Sequence, residues 1–145
     1  MTYNAIHLID LENLYGSGRL SYDAVRKTYR TYLDEVSVQE GDLVIVAAGS
    51  GNRLAVFNGW PGAHYKFRDG QNGADIALAE FISESHLSGR FNRAFLGSGD
   101  GGLAPYAEIL QSAGLDIVVV ARPTSTSYRL RGFELIEFPE LLVAS

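Results

Sequence analysis

The chain has no cysteine, so disulfides and thiolate metal sites are excluded, and any metal must sit among oxygen or imidazole donors. It has no excess of positive charge. Twelve Lys and Arg stand against 17 Asp and Glu, a net charge of −5, which argues against a broadly basic nucleic-acid clamp and leaves a local patch open. It has no apolar run long enough to span a bilayer, and Met1-Thr2-Tyr3-Asn4-Ala5-Ile6 lacks the basic opening of a secretory signal. The expectation is therefore a protein of the cytoplasm that does not enter a membrane. Repeats, low-complexity segments and linkers are also missing. With 145 residues, 46% of them apolar, one domain over 1–145 with a single core is expected.

Glycine is abundant, with 16 in the chain, and its clearest concentration follows a short buried strand, Ala94-Phe95-Leu96. Gly97-Ser98-Gly99-Asp100-Gly101-Gly102 turns tightly. From Leu103, apolar residues at Tyr106, Ala107, Leu110 and Ala113 recur at helical spacing up to a cap at Gly114. Strand, glycine loop, helix is the arrangement that puts a loop at the carboxyl end of a sheet, where α/β folds bind ligands. The loop matches G-x-G-x-x-G, but that fingerprint belongs to a first strand-helix unit, and an aspartate in it would oppose a pyrophosphate. Asp100 is better read as a cation ligand or as the cap of the next helix.

The rest alternates strands and helices. Ala5–Ile9 is a central parallel strand, with His7 a packed core histidine, ending at Asp10-Leu11-Glu12-Asn13 and a Gly16-Ser17-Gly18 loop. Ser21 caps a helix whose stripe is Tyr22, Val25, Tyr29, Tyr32, Leu33 and Val36, with Arg26, Lys27 and Arg30 on its solvated face. Leu43–Ala48 is a second strand. A short helix around Leu54–Phe57 stops at Trp60-Pro61-Gly62, Trp60 being a core plug. Ala63–Arg68 alternates as an edge strand, with Tyr65 and Phe67 on one side and His64, Lys66 and Arg68 on the other. After the turn at 69–73 an apolar helix runs over 74–86, with Asp75 in its first turn. Asp116–Ala121 is another buried strand, 122–127 a polar loop, and Phe133–Phe138 a short last strand ended by Pro139.

This βαβαβαβαβ pattern predicts a three-layer α/β/α sandwich on a mostly parallel sheet of order 3-2-1-4-5. Strands one and four then meet at the switch point, which brings Asp10 and Asp100 to one crevice, and the helix carrying Asp75 can start beside it. Each aspartate alone reads as a cap or turn residue. Together, carboxylates in one crevice repel unless a cation or proton sits between them, and an oxygen-only cluster suits Mg²⁺ or Mn²⁺.

Three segments resemble a known family. Ile9-Asp10-Leu11-Glu12-Asn13-Leu14 looks like an opening D-x-x-N motif. Asn72-Gly73-Ala74-Asp75-Ile76-Ala77-Leu78 looks like K-G-x-D-[VI]-x-L, and Leu96-Gly97-Ser98-Gly99-Asp100-Gly101-Gly102-Leu103-Ala104-Pro105 like S-G-D-x-D-[FL]-x-P. By these, in this order, the chain is similar to the NYN domain (LabA-like branch) of the PIN-like nuclease superfamily. The resemblance implies a PIN-like Rossmannoid fold and metal-dependent cleavage of RNA, with single-stranded RNA the expected substrate. It implies Mg²⁺ or Mn²⁺ held by Asp10, Asp75 and Asp100, with Asn13 orienting Asp10 or a water and Ser98 supporting the Asp100 loop. Arg53, Arg68, Arg122 and Arg129, in or beside loops at the strand ends, are the candidates to hold a nucleic-acid backbone.

The sequence departs from the pattern at two positions. Gly102 replaces the second acid, with Glu12 the candidate replacement, and Asn72 stands where lysine is usual. The alternative reading is thus a catalytically weakened or inactive nucleic-acid-binding or regulatory module. A haloacid-dehalogenase-type phosphatase, which needs D-x-D-x-[TV] where Asp10-Leu11-Glu12-Asn13 stands, is a distant third.

Overall fold

The computed structural model describes residues 4–142. Strands β1 (Asn4–Asp10), β2 (Leu43–Gly49), β3 (His64–Arg68), β4 (Phe91–Gly97), β5 (Asp116–Ala121) and β6 (Glu134–Glu137) form one sheet of order β3-β2-β1-β4-β5-β6. Every adjacent pair is parallel. The expected order holds for the first five strands, β6 extends it, and the sheet is wholly parallel.

Side-chain alternation along the strands sorts the core into two layers. Ile6 and Leu8 of β1 pack with Ile45, Ala47 and Val119 under α4 (Gly73–Glu84) and α5 (Ala104–Ser112). Ile9, Val46, Phe95, Val118 and Val120 face α1 (Leu11–Tyr15), α2 (Tyr22–Glu35) and α3 (Arg53–Gly59). Asp10 continues the Ile6–Leu8 alternation and so emerges, at the carboxyl end of β1, on the side of α4.

Three local readings change. Helix α1 was not foreseen, because five residues are too few for an apolar period to show. The buried stripe of α2 is Ala24, Val25, Thr28 and Tyr32, whereas Tyr22 and Leu33 are exposed; small residues at 24 and 28 face the sheet and turn the larger pair outward. Helix α4 ends at Glu84, with Ser85 extended. The polar loop expected after β5 is shaped by two 3-10 turns, Pro123–Ser125 and Tyr128–Leu130, before β6 begins.

His7 is fully buried, as expected. Its Nε2 contacts Asp42 Oδ2 at 2.9 Å and its Nδ1 contacts Tyr32 Oη at 2.7 Å, with Phe95 stacked on the ring at 4.6 Å. A carboxylate only accepts, so the neutral ring donates from Nε2 to Asp42 and accepts the Tyr32 hydroxyl at Nδ1. Trp60 is 3% exposed and lies against Tyr29 and Tyr32.

Candidate acidic centre

Asp10 ends β1 and caps α1, its Oδ1 accepting the Asn13 amide at 3.1 Å. The short helix that results ties three strand ends together. Glu12 Oε2 accepts the Gly49 amide at 2.9 Å and an Asn52 side-chain N–H, fixing the loop after β2. Asn13 Oδ1 accepts the Gly99 amide at 2.9 Å, fixing the loop after β4. The carbonyl of Asn13 accepts Arg122 Nε at 2.9 Å, fixing the end of β5.

The β4 loop is held from its other side as well. Ser98, fully buried, accepts the Asp100 amide at Oγ, 3.1 Å away. Asp100 Oδ1 accepts the Gly102 amide at 2.7 Å and caps the 3-10 turn Gly101–Leu103. Gly99 O accepts the Ser127 amide at 2.8 Å, and a Cβ on Gly99 would lie 2.3 Å from Ser125 O. Only glycine permits that approach.

Asp75 sits in the first turn of α4 and caps nothing. Asn72, in the left-handed conformation with φ 60°, is the N-cap residue and makes no side-chain capping bond. A Cβ on Gly73 would lie 2.3 Å from Arg68 O, so a glycine lets α4 start against the end of β3. Asp75 is thereby delivered between Asp10 and Asp100, within hydrogen-bonding reach of both. Its Oδ1 is buried without a partner.

The electrostatics follow from this crowding. Burial, then the contacts with Asp100 and Asp10, push the Asp75 carboxyl up to about 9. Burial also raises Asp10. Asp100 is lowered, first by its hydrogen bond with Asp75 and also by the Gly102 amide, against the raising effect of burial. Two ionised carboxylates cannot hydrogen-bond each other, so without a cation the crowding favours the protonated form of Asp75.

The residues fit a divalent cation in chemistry: three carboxyl groups, an oxygen with no partner, and mutual repulsion that positive charge relieves. The described residues nevertheless contain no group of three or more histidine or acidic side chains already placed to hold a metal ion. A cleft of about 250 Å³ opens over Asp75 and Asp100, lined also by Asn72, Gly102, Leu103 and Tyr106. A second cleft of about 520 Å³ adjoins it through Asn72, with Glu12, Arg19, Asn52 and Arg68 among its walls.

The structure brings Asp10, Asn13, Asp75, Ser98 and Asp100 together. Glu12, two residues from Asp10, is occupied by the β2 loop through Gly49 and Asn52. Arg68 is exposed and pairs with Glu80 of α4. The Arg53 guanidinium lies over Phe67, 5.9 Å from the ring centre. Arg129 is exposed beside Ala104, Pro105 and Glu108. Arg122 is engaged twice, with the Asn13 carbonyl and with Glu140 at 2.9 Å. Arg19 and Asn52 were not picked out from the sequence; their place in the loops after β1 and β2, at the same sheet end as Asp10, was the available signal.

A parallel doubly wound sheet with three aspartates converging at its switch point defines a Rossmann-like domain with an acidic centre. The NYN domain model matches residues 5–134, and the chain belongs to the NYN family, a PIN-like nuclease domain that acts on nucleic acid. No curated protein matches the chain. A crystal structure of a protein of unknown function from Vibrio parahaemolyticus has the same fold, at 19% identity and TM-score 0.59 over 93% of each chain. No described helix is long and apolar enough to cross a membrane.

Proposed function

We propose that this NYN domain is a metal-dependent endoribonuclease acting on single-stranded RNA, in the cytoplasm. The observation that carries the reading is Asp75: a carboxyl with no capping duty, wedged against two others, with one oxygen unpartnered. Such an arrangement is costly to fold around and is accounted for by a ligand of positive charge.

Asp10, Asp75 and Asp100 would hold Mg²⁺ or Mn²⁺. When bound, the ion supplies a nucleophilic water and stabilises charge on the scissile phosphate. Asp10 is kept in place by the Asn13 amide, and Asp100 by the Ser98 hydroxyl and the Gly102 amide. Gly99 and Gly101 are packed against 125–129, and Gly102, whose face meets only the Asp100 carboxylate, is the β4-loop glycine that leaves backbone open to a phosphate. Arg53, Arg68 and Arg129 reach solvent and are assigned to the RNA backbone, while Arg122 would contact it only on release from Glu140.

The second reading, a binding module with weak or no catalysis, is favoured by Gly102 in place of an acid and by Glu12 being committed to Gly49 and Asn52. One experiment separates the two. An end-labelled single-stranded oligoribonucleotide is incubated with wild type and Asp75→Asn in Mn²⁺, Mg²⁺ or EDTA. Internal cleavage with metal, abolished by EDTA and reduced at least about a hundredfold in the variant, supports the nuclease. Binding without cleavage in every condition supports the second reading, and cleavage that persists in Asp75→Asn overturns the assigned site.

A further inference from the structure

Strand β3 is an edge of the sheet, paired only with β2. Its α3 side carries a ladder of rings. Phe57 of α3 lies 5.5 Å from Tyr65, and Tyr65 is stacked on Phe67 at 6.2 Å with 7° between planes. Arg53 closes the ladder over Phe67. Phe57 is 61% exposed, and neither core layer needs its ring.

The ladder runs along β3 toward Arg68, the last residue of the strand. Arg68 and Arg19 line the 520 Å³ cleft, and Asn72 joins that cleft to the one over Asp75 and Asp100. In a chain of net charge −5, Arg53 thus stands over the ladder, while Arg19 and Arg68 line the cleft at its end, Arg68 from the opposite face of β3 and paired with Glu80. Against them in that cleft stand Asp69 and Glu12, the latter already bonded by two donors. Strand β3 is two strand spacings from β1, roughly 10 Å, a span that a few unpaired nucleotides cover.

We infer that the α3–β3 edge is a stacking ledge for single-stranded nucleic acid, on which the bases flanking the acidic centre rest on Phe57 and on the Arg53–Phe67 pair. The inference rests on the nucleic-acid reading of the acidic centre and names the part of the substrate that reading leaves unplaced. Rings and guanidinium planes accept any unpaired base, whereas bases stacked inside a duplex offer them no free face. A second copy of this chain would also cover Phe57, but single-stranded nucleic acid in addition matches Arg19 and Arg53, which no acidic side chain pairs among the described residues.

The test is binding in EDTA, where no metal-dependent cleavage contributes. Fluorescence anisotropy with a labelled single-stranded oligoribonucleotide compares wild type, Phe57→Ala, Phe57→Trp, Arg53→Gln and, as a control remote on α5, Ile109→Ala. The expected result is binding weakened about fivefold or more in Phe57→Ala and Arg53→Gln, retained in Phe57→Trp, and unchanged in Ile109→Ala. Duplex RNA should bind more weakly than single strand and respond little to Phe57→Ala. Equal single-strand affinity in wild type and Phe57→Ala overturns the ledge, even if Mn²⁺-dependent cleavage upholds the nuclease. Ledge-dependent binding without cleavage upholds the ledge and rejects the nuclease. A wild-type dimer in sedimentation that Phe57→Ala dissociates assigns the patch to self-association and overturns the inference.

Discussion

The side-chain oxygen of Asn13 accepts the amide of Gly99 at 2.9 Å, joining positions 86 residues apart in the chain. Through this bond the loop that carries Asp100 is registered against the turn that carries Asp10. The switch point of the sheet makes the two loops neighbours, and Asn13 makes them rigid neighbours.

Asn13→Ala should therefore cost about 1–3 kcal/mol, the penalty of an unsatisfied buried amide, and should weaken metal binding without removing any acid. Asn13→Asp keeps an acceptor for Gly99 and should be milder. Gly99→Ala should be at least as severe as Asn13→Ala, since its methyl would meet Ser125 O at 2.3 Å. Urea melts and a Mn²⁺ titration of the three variants check the order.

Metal should stabilise the protein by mass action, by about 2.7 kcal/mol at a concentration one hundred times Kd. The gain in Tm should shrink in Asp10→Asn and Asp100→Asn. Equal responses in wild type and both variants would remove the shared site.

In EDTA the acidic centre should give stability a downward slope with rising pH. Asp75 keeps its proton in the native state up to about 9, whereas the unfolded chain loses it above 3.8. The native state thus binds more protons across that window, and stability falls as pH rises through it. Asp75 is only half-buried, so solvent screening limits the loss to the order of 1–3 kcal/mol. Asp75→Asn should flatten the slope, read as Tm against pH in EDTA.

The His7–Asp42 pair should act in the opposite direction. Burial lowers His7 from 6.5, against the raising effect of Asp42. Asp42 is lowered from 3.8: burial, the largest single effect, raises it, but the hydrogen bond from His7, the Gln39 and Ala5 amides and the charge of His7 together outweigh it. In both, the native state takes up its proton at lower pH than the unfolded chain. Stability should decline as pH drops below 6.5 and again below 3.8, by up to about 1.4 kcal/mol per unit for each proton. His7→Gln should abolish the first decline, as acid titration of Tm will report.

Gly102→Asp tests the missing acid directly. Gly102 is not among the glycines with positive φ, so the backbone accepts a side chain. Its Cβ would stand 3.2 Å from Asp100 Oδ1, a tight contact that places the new carboxylate beside the old. The variant should lose about 1 kcal/mol in EDTA through repulsion, bind Mn²⁺ several-fold more tightly, and cleave faster. A folded variant with unchanged metal affinity and activity would favour the binding-module reading.

The sequence by itself determined the sheet. Uninterrupted apolar runs such as Leu43–Ala48 and Ile117–Ala121, separated by helical periods, have one economical solution, a parallel sheet covered on both faces, and its strand order puts Asp10 beside Asp100. Three motifs of fixed spelling made the family legible for the same reason, since each lies on a strand end or a helix start. Local sequence could not tell a carboxylate that caps from one that waits for a ligand. Asp10 and Asp100 make the capping bonds that their positions allow. Asp75 makes none, and that became visible only when the close approach of Gly73 to Arg68 O fixed where α4 begins. The tertiary structure likewise committed Glu12 to Gly49 and Arg122 to Asn13 and Glu140, because charge on a side chain is written in the sequence while its partner, tens of residues away, is chosen by the fold.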